Sequence, residues 1–225
     1  MADGIERRGK MIKKYWKTLL ITSIIILLPI AVGLIFWNRL PEKLPTHWNV
    51  SGEIDGWSSK GFAVAGLPLI MLLLQWVCVI ATCADPKKSN HPGKILKLVL
   101  WIVPFVSILS CTMIYTAAFG WELPVGVIMP MLIGVLLAVV GNYLPKCKQN
   151  YTIGIKIPWT LNSEENWNKT HRFAGWLWVA GGVIGALSGW IGLYWNGIFW
   201  IFIGVILVMV IAPIVYSYVL YKKGV

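Results

Sequence analysis

Charge is scarce in this chain. Only 13% of its 225 residues are Asp, Glu, Lys or Arg, about half the share found in soluble domains. Acids are the scarcest, nine in all, and every one falls outside the long apolar runs. Pumps and proton-coupled transporters bury ionisable groups in the membrane, so their absence argues against charge-coupled transport. It argues equally against an intramembrane enzyme. Cysteine is sparse too. Cys78, Cys83, Cys111 and Cys147 form no C-x-x-C pair, which speaks against a disulfide framework or a zinc site. No H-E-x-x-H, G-x-S-x-G or P-loop is present. The expectation is a protein that is not an enzyme, with no cofactor and no metal.

Apolar sequence fills the space that charge leaves. Hydrophobic residues make up 57% and the mean hydropathy is +0.70. They cluster in runs of about 20, enough to cross the roughly 30 Å of bilayer hydrocarbon. The fold class expected is all-α, a polytopic membrane protein of six transmembrane helices with both termini cytoplasmic. The spans run over residues 18–37, 62–83, 98–119, 123–140, 173–194 and 198–220. Ala31-Val32-Gly33 has the small-x-small look of a signal-peptide cleavage site, but the run continues past it. Residues 1–17 read as a basic flank. Residues 18–83 read as a helical hairpin around an outer loop, 38–61. Residues 84–122 hold a connecting loop and the third helix. Residues 123–225 hold the remainder around a second loop, 141–172.

Orientation follows from the basic residues. Seventeen of the twenty lie in residues 1–17, 84–97, 141–172 and the tail; Arg39, Lys43 and Lys60 lie in 38–61. Basic loops favour the cytoplasmic side, so 141–172 is expected inside and 38–61 outside. The net charge of +11 then reflects loops facing an anionic leaflet rather than nucleic acid.

Within the spans, Gly181, Gly185 and Gly189 recur every four residues and predict close helix packing inside the chain. Prolines 29, 68, 104, 130 and 213 are expected to bend the other five helices. Gln75, Ser107, Ser110, Thr112, Tyr115 and Ser188 are expected to hydrogen-bond between helices. Trp16, Trp37, Trp121, Trp190 and Trp195 fall where aromatic belts sit.

Two loops stand out. In the inner one, GNYLPKCKQNYTIGIKIPWTLNSEENWNKTHR, Pro158 biases Ile157 towards extended backbone. Asn162 is then expected to cap a helix that runs through Trp167 into the fifth span, with Glu165 and Lys169 paired at i,i+4. Trp167, Thr170, His171 and Ala174 share one face. From the residues alone, an interface helix anchored to lipid phosphates by Lys156, Lys169 and Arg172 competes with a docking surface for a cytoplasmic protein. His171 has no second ligand at metal-binding spacing. In the outer loop, Gly52 and Asp55-Gly56 signal a turn. His47, Glu53 and Asp55 are candidates to converge on a cation, but a polar turn beneath Trp48 and Trp57 is the preferred reading. An aromatic outer loop also suits an amphipathic peptide at headgroup depth.

The pattern N-Y-x-x-G-I-K-x-P-W-T-L-x-S-E-x-x-W-x-K-T-H-R over residues 150–172 resembles the signature loop of the SdpI family, bacterial membrane proteins named for immunity to a secreted peptide toxin. LPEKLPTHWNVSGEIDGWSSKG resembles the domain of unknown function that often precedes the SdpI part. Lys156 stands where the family more often has Arg, keeping charge but losing a bidentate fork. The resemblance implies a cell-membrane protein conferring toxin immunity and, as in the namesake system, holding a small cytoplasmic autorepressor at the membrane. The partners expected are the lipid bilayer, a peptide toxin outside and that repressor inside, with no direct contact to nucleic acid. Asn150, Gly154, Lys156, Pro158, Trp159, Thr160, Trp167, His171 and Arg172 are the expected partner-binding residues. His47, Trp48, Gly52, Asp55, Gly56 and Trp57 are the expected toxin-binding ones. The competing readings are a transporter or flippase-like protein, and a membrane-stress protein without a cognate toxin.

Overall fold

A computed structural model describes residues 2–87, 93–121, 123–192, 194–195 and 197–225, with side chains described except at 2–12 and 93–96. Met1, residues 88–92, Glu122, Leu193 and Asn196 lie outside the described set. The helices are α1 (Ala2–Ile35), α2 (Leu67–Ala84), α3 (Gly93–Ala118), α4 (Val125–Tyr143), α5 (Pro158–Asn162), α6 (Glu164–Ile191) and α7 (Ile198–Lys222). All but α5 are long and apolar enough to cross a membrane. Leu73, Ile80, Val135, Trp176 and Leu207 are exposed on them, as side chains facing lipid are. Among the described residues, the multi-pass membrane architecture of six candidate spans is therefore present.

The chain forms two compact units. The first comprises Met1–Asn49, Glu53–Asp85 and Gly93–Leu123; the second comprises Val50–Gly52, Pro86–Pro92 and Pro124–Val225.

In the first unit, α2 and α3 are stitched to α1 by polar side chains. Gln75 Nε2 donates to Thr22 Oγ1 at 3.0 Å, Ser107 Oγ to the Ile26 carbonyl at 3.4 Å, and Tyr115 OH to the Pro29 carbonyl at 2.8 Å. Pro29 lies within α1 and removes one helical N–H. A Cβ on Gly33 would lie 2.6 Å from the Tyr115 hydroxyl, so the missing side chain makes room for it. Leu40, Leu44, Ala63, Val64, Cys111, Ile114 and Tyr115 form the unit's larger buried cluster.

The loop after α1 folds further than a turn. Strands β1 (Lys43–Trp48) and β2 (Ile54–Ser59) pair antiparallel, with Leu44 opposite Ser58 and Trp48 opposite Ile54. An isolated two-stranded ribbon is marginal in water. This one is held because Leu44 is fully buried in the cluster. At its base Lys60 Nζ meets Glu42 at 2.9 Å and lies over the Trp37 ring. Residues Phe62–Gly66 wind as a π-helical turn that runs directly into α2, and Pro68 lies just past the change of winding.

In the second unit, α4 and α6 run antiparallel at backbone contact. A Cβ on Gly182 would lie 2.4 Å from the Ala138 nitrogen, one on Gly134 2.3 Å from the Ala186 nitrogen, and one on Gly189 2.6 Å from the Val127 carbonyl. The residues that allow this recur every seven positions: Gly175, Gly182 and Gly189 against Gly134 and Gly141. The four-residue ridge seen in the sequence does something else. Steps of four advance about 40° around a helix, steps of seven only about 20°. Gly181 accordingly faces Met209 of α7, Gly185 touches both Phe202 of α7 and Gly134 of α4, and Gly189 faces Met131 of α4. One line of glycines serves two neighbours. Ser188 bonds to the Gly185 carbonyl of its own helix at 2.7 Å rather than across helices.

α7 carries Pro213 within it. Proline at that position leaves the Met209 carbonyl without its helical donor. Trp178 Nε1 supplies one from α6, at 2.9 Å.

Gly182→Ala should push α4 and α6 apart. The expected cost is that of overpacking, about 1–3 kcal/mol, read as a lower melting temperature in detergent. Gly204→Ala, where an added Cβ meets nothing within 4 Å, should melt like the wild type. Equal melting of the two variants would disprove the seam.

Candidate functional site

Residues 144–172 close one end of the second unit. A 3₁₀ turn, Leu144–Lys146, carries the chain out of α4. The next residues turn on one side chain. Asn150 is wholly buried. Its Nδ2 donates to the carbonyls of Lys148 and Ile153 at 2.8 Å each. Its Oδ1 accepts from the backbone N–H of Thr152 at 2.8 Å and of Ile153 at 2.6 Å. The amide is saturated, and the loop is wound around it.

Gly154 follows with φ +120°, a region L side chains avoid. Any Cβ there would lie 2.5 Å from His171 Nε2 and 3.0 Å from the Trp167 ring. The backbone can cross those two rings only as glycine. Trp167 and His171 are stacked, centroids 4.0 Å apart at 19°, one turn apart on α6. Both hold the loop from beneath. Trp167 Nε1 donates to the Cys147 carbonyl at 2.7 Å. The Ile155 N–H donates to His171 Nε2 at 2.9 Å. That contact leaves the ring proton on Nδ1, which donates to the Trp167 carbonyl at 2.8 Å.

Ile157 is extended at φ −124°, ψ 159°, as a residue before proline should be, and Pro158 opens the five-residue helix α5. Thr160 Oγ1 donates to the Ile155 carbonyl at 2.7 Å and accepts from the Ile157 N–H at 3.2 Å. Gln149 Nε2 donates to the Thr160 and Leu161 carbonyls at 2.8 and 2.9 Å. The helix cap expected at Asn162 sits one residue later: Asn162 is consumed as the last residue of α5, and Ser163 Oγ accepts from the Asn166 N–H at 3.1 Å. Glu164 and Glu165 occupy the first turn of α6, where its dipole favours acids. Lys169 pairs with Glu165 at 2.7 Å.

The named residues therefore separate into two sets. Asn150, Thr160, Trp167 and His171 are buried, and Gly154 lies against the last two. They shape the loop from within, and Trp167, at 0% exposure, offers no surface to a partner. Pro158, Lys156 and Arg172 are exposed and Trp159 half-buried. Trp159 leans on Tyr218 and Tyr221 of α7, centroids 5.0 and 6.2 Å away, with Lys222 over Tyr218. This aromatic cluster, edged by basic side chains, is what the loop shows.

Sequence reasoning missed Asn166, Ser217 and Gln149. Asn166 Oδ1 accepts from Thr170 at 3.1 Å and from Ser217 at 2.6 Å, and its Nδ2 donates to the Ser217 carbonyl at 3.0 Å. The i,i+4 placing of Asn166 and Thr170 on the buried face was the available signal. Nothing local marked Gln149.

In the β1–β2 hairpin, His47 Nδ1 and Asp55 Oδ1 lie 2.6 Å apart. Glu53 is taken by Asn49, which bonds both its N–H and its carboxylate at 3.0 Å, so the three do not converge. Among the described residues no group of three or more His, Cys, Asp or Glu is placed to hold a metal. Gly52 takes φ +82° in the turn. Gly56 lies against His47, where a Cβ would approach the His47 Cβ to 2.8 Å. Trp48 packs on the buried cluster, whereas Trp57 is 57% exposed.

Asn150→Asp should open the loop of residues 147–155, because two carbonyls lose their donors and face a carboxylate instead. Cys147 is the reporter. It is buried, its Sγ lies 3.3 Å from the Ile153 carbonyl, and burial pushes its thiol up to about 11. In the wild type it should resist a hydrophilic maleimide at neutral pH, since the thiolate is the reactive form. In Asn150→Asp its labelling, followed by peptide mass spectrometry, should rise at least about tenfold; unchanged labelling would show that the turn stands without Asn150.

Comparison with known proteins adds independent evidence. Residues 146–217 match the SdpI/YfhL protein family and residues 24–72 match a domain of unknown function, DUF1648. The chain is 28% identical over 176 residues to Immunity protein SdpI of Bacillus subtilis (strain 168), covering 78% of this chain and 83% of that protein. No solved structure matches it significantly. This multi-pass cell-membrane protein thus carries, in one chain, a stretch similar to DUF1648 and a stretch similar to the SdpI/YfhL protein family.

Proposed function

We propose that the protein protects a bacterium from a secreted antimicrobial peptide while embedded in the cell membrane. The observation that carries this reading is the similarity to Immunity protein SdpI, which extends over 78% of the chain. The prefolded inner loop supports it: α5 and α7 present Trp159, Tyr218 and Tyr221 on a scaffold whose own hydrogen bonds are already made. With the basic loops on the cytoplasmic side, the outer hairpin meets the peptide. The α5–α7 aromatic cluster meets a cytoplasmic partner, a small transcriptional repressor in the family pattern. Exposed Trp57 supplies the amphipathic ring for the first contact. Lys156 and Arg172 steer an acidic partner towards the second.

Sidedness is tested by single cysteines at exposed sites. Ser59→Cys should label from outside with an impermeant maleimide, and Asn168→Cys only after permeabilisation. Labelling of Asn168→Cys in intact cells would invert the assignment.

Function is tested in a Bacillus subtilis strain lacking its own SdpI, grown beside strain 168. The wild-type chain should restore survival, and failure to do so would sink the immunity reading. Trp57→Ala should impair survival at matched expression. Trp159→Ala should leave survival intact but weaken recruitment of a cytoplasmic partner by about 2 kcal/mol, as loss of an aromatic interface anchor does. Parallel loss of both activities in both variants would mean that the loops act as one surface.

A further inference from the structure

The aromatic cluster rests on a helix too short to hold itself. α5 has five residues, well below the length at which helices persist alone. Its C-terminal carbonyls, those of Thr160 and Leu161, are bound by Gln149 Nε2. Gln149 is 5% exposed, and its own oxygen accepts a hydrogen bond from the Lys87 ammonium. The same ammonium lies 5.7 Å from the centroid of the Tyr151 ring. Lys87 thus touches both residues flanking Asn150, and reaches α5 through one side-chain amide.

The chemistry of this chain of contacts is directional. An ammonium bound to the amide oxygen polarises the amide and strengthens its N–H bonds to the two carbonyls. Those carbonyls form the negative end of α5, where a relayed positive charge is favourable. Lys87 belongs to the segment three residues beyond the end of α2 at Ala84, far in sequence from everything it fixes here.

We propose that Lys87 is a positioning residue for the α5 aromatic cluster: through Gln149 it fixes where Trp159 stands, so that the segment following α2 sets the docking surface. Its functional meaning rests on the docking reading above; its structural content does not.

The test is hydrogen–deuterium exchange on the full chain in lipid nanodiscs, with no partner present. In Lys87→Met, amides of residues 157–163 should exchange at least about fivefold faster, while residues 181–189 of α6 keep wild-type protection. Lys87→Arg, which retains charge and donors, should return exchange to within about twofold of wild type. Gln149→Glu keeps the acceptor for Lys87 but loses the donors to α5, and should behave like Lys87→Met. Unchanged exchange over 157–163 in Lys87→Met overturns the proposal, as does a rise spread equally over α6. Because exchange is read without a partner, its failure is distinct from failure of the docking reading, which the recruitment assay of Trp159→Ala decides.

Discussion

The second unit depends on a stacked pair of rings. Trp167 and His171 lie face to face on one turn of α6, and the loop from Cys147 to Ile155 is fastened to their edges by an indole N–H and an imidazole nitrogen. Each edge serves a backbone group that would otherwise be buried unpaired, at a cost of about 1–3 kcal/mol. The demand for glycine at residue 154 and for the Nδ1-protonated histidine follows from that fastening. So does the burial of Asn150, which has to turn the chain sharply before it reaches the rings. An aromatic pair is usually read as a surface waiting for a partner. Here it is a floor.

That floor is only as steady as α6, and α6 is held on two sides. Against α4, small residues at seven-residue spacing bring backbones to contact. Dispersion and close packing drive association between helices in lipid, where no hydrophobic gain is available. Against α7, the hold is chemical as well: Trp178 bonds the Met209 carbonyl, Asn166 bonds Ser217, and Phe173 lies on Tyr216. The signature loop and the spans beneath it therefore form one hydrogen-bonded body.

Much of this was legible in the sequence. The six runs needed only their length and hydropathy, since nothing else satisfies the backbone in hydrocarbon. Pro158 announced the extended Ile157, and the spacing of Glu165 and Lys169 announced their ion pair. What escaped was whatever depended on two distant segments meeting. The helix cap shifted from Asn162 to Ser163 because α5 claimed Asn162 first, and a five-residue helix leaves no periodic trace. The hairpin in residues 43–59 has bulged registers, which break the alternation that would have disclosed it. The glycines at 181, 185 and 189 were visible as a pattern, but not the rotation that hands them from α7 to α4. Trp167 and Trp159 look equivalent in sequence; only the fold separates the buried ring from the presented one.

The bond from Trp178 to the Met209 carbonyl bears on how the protein is built. Before α6 is alongside, α7 carries in its middle a peptide oxygen that Pro213 has stripped of its donor. In lipid such an unsatisfied group costs several kcal/mol. A solitary α7 is thus penalised in the bilayer core, and the penalty disappears only when the indole of α6 arrives. The last span is long and apolar enough to cross the bilayer by itself, but it reaches its lowest free energy only when docked on α6, so a preference for that neighbour is written into a single carbonyl.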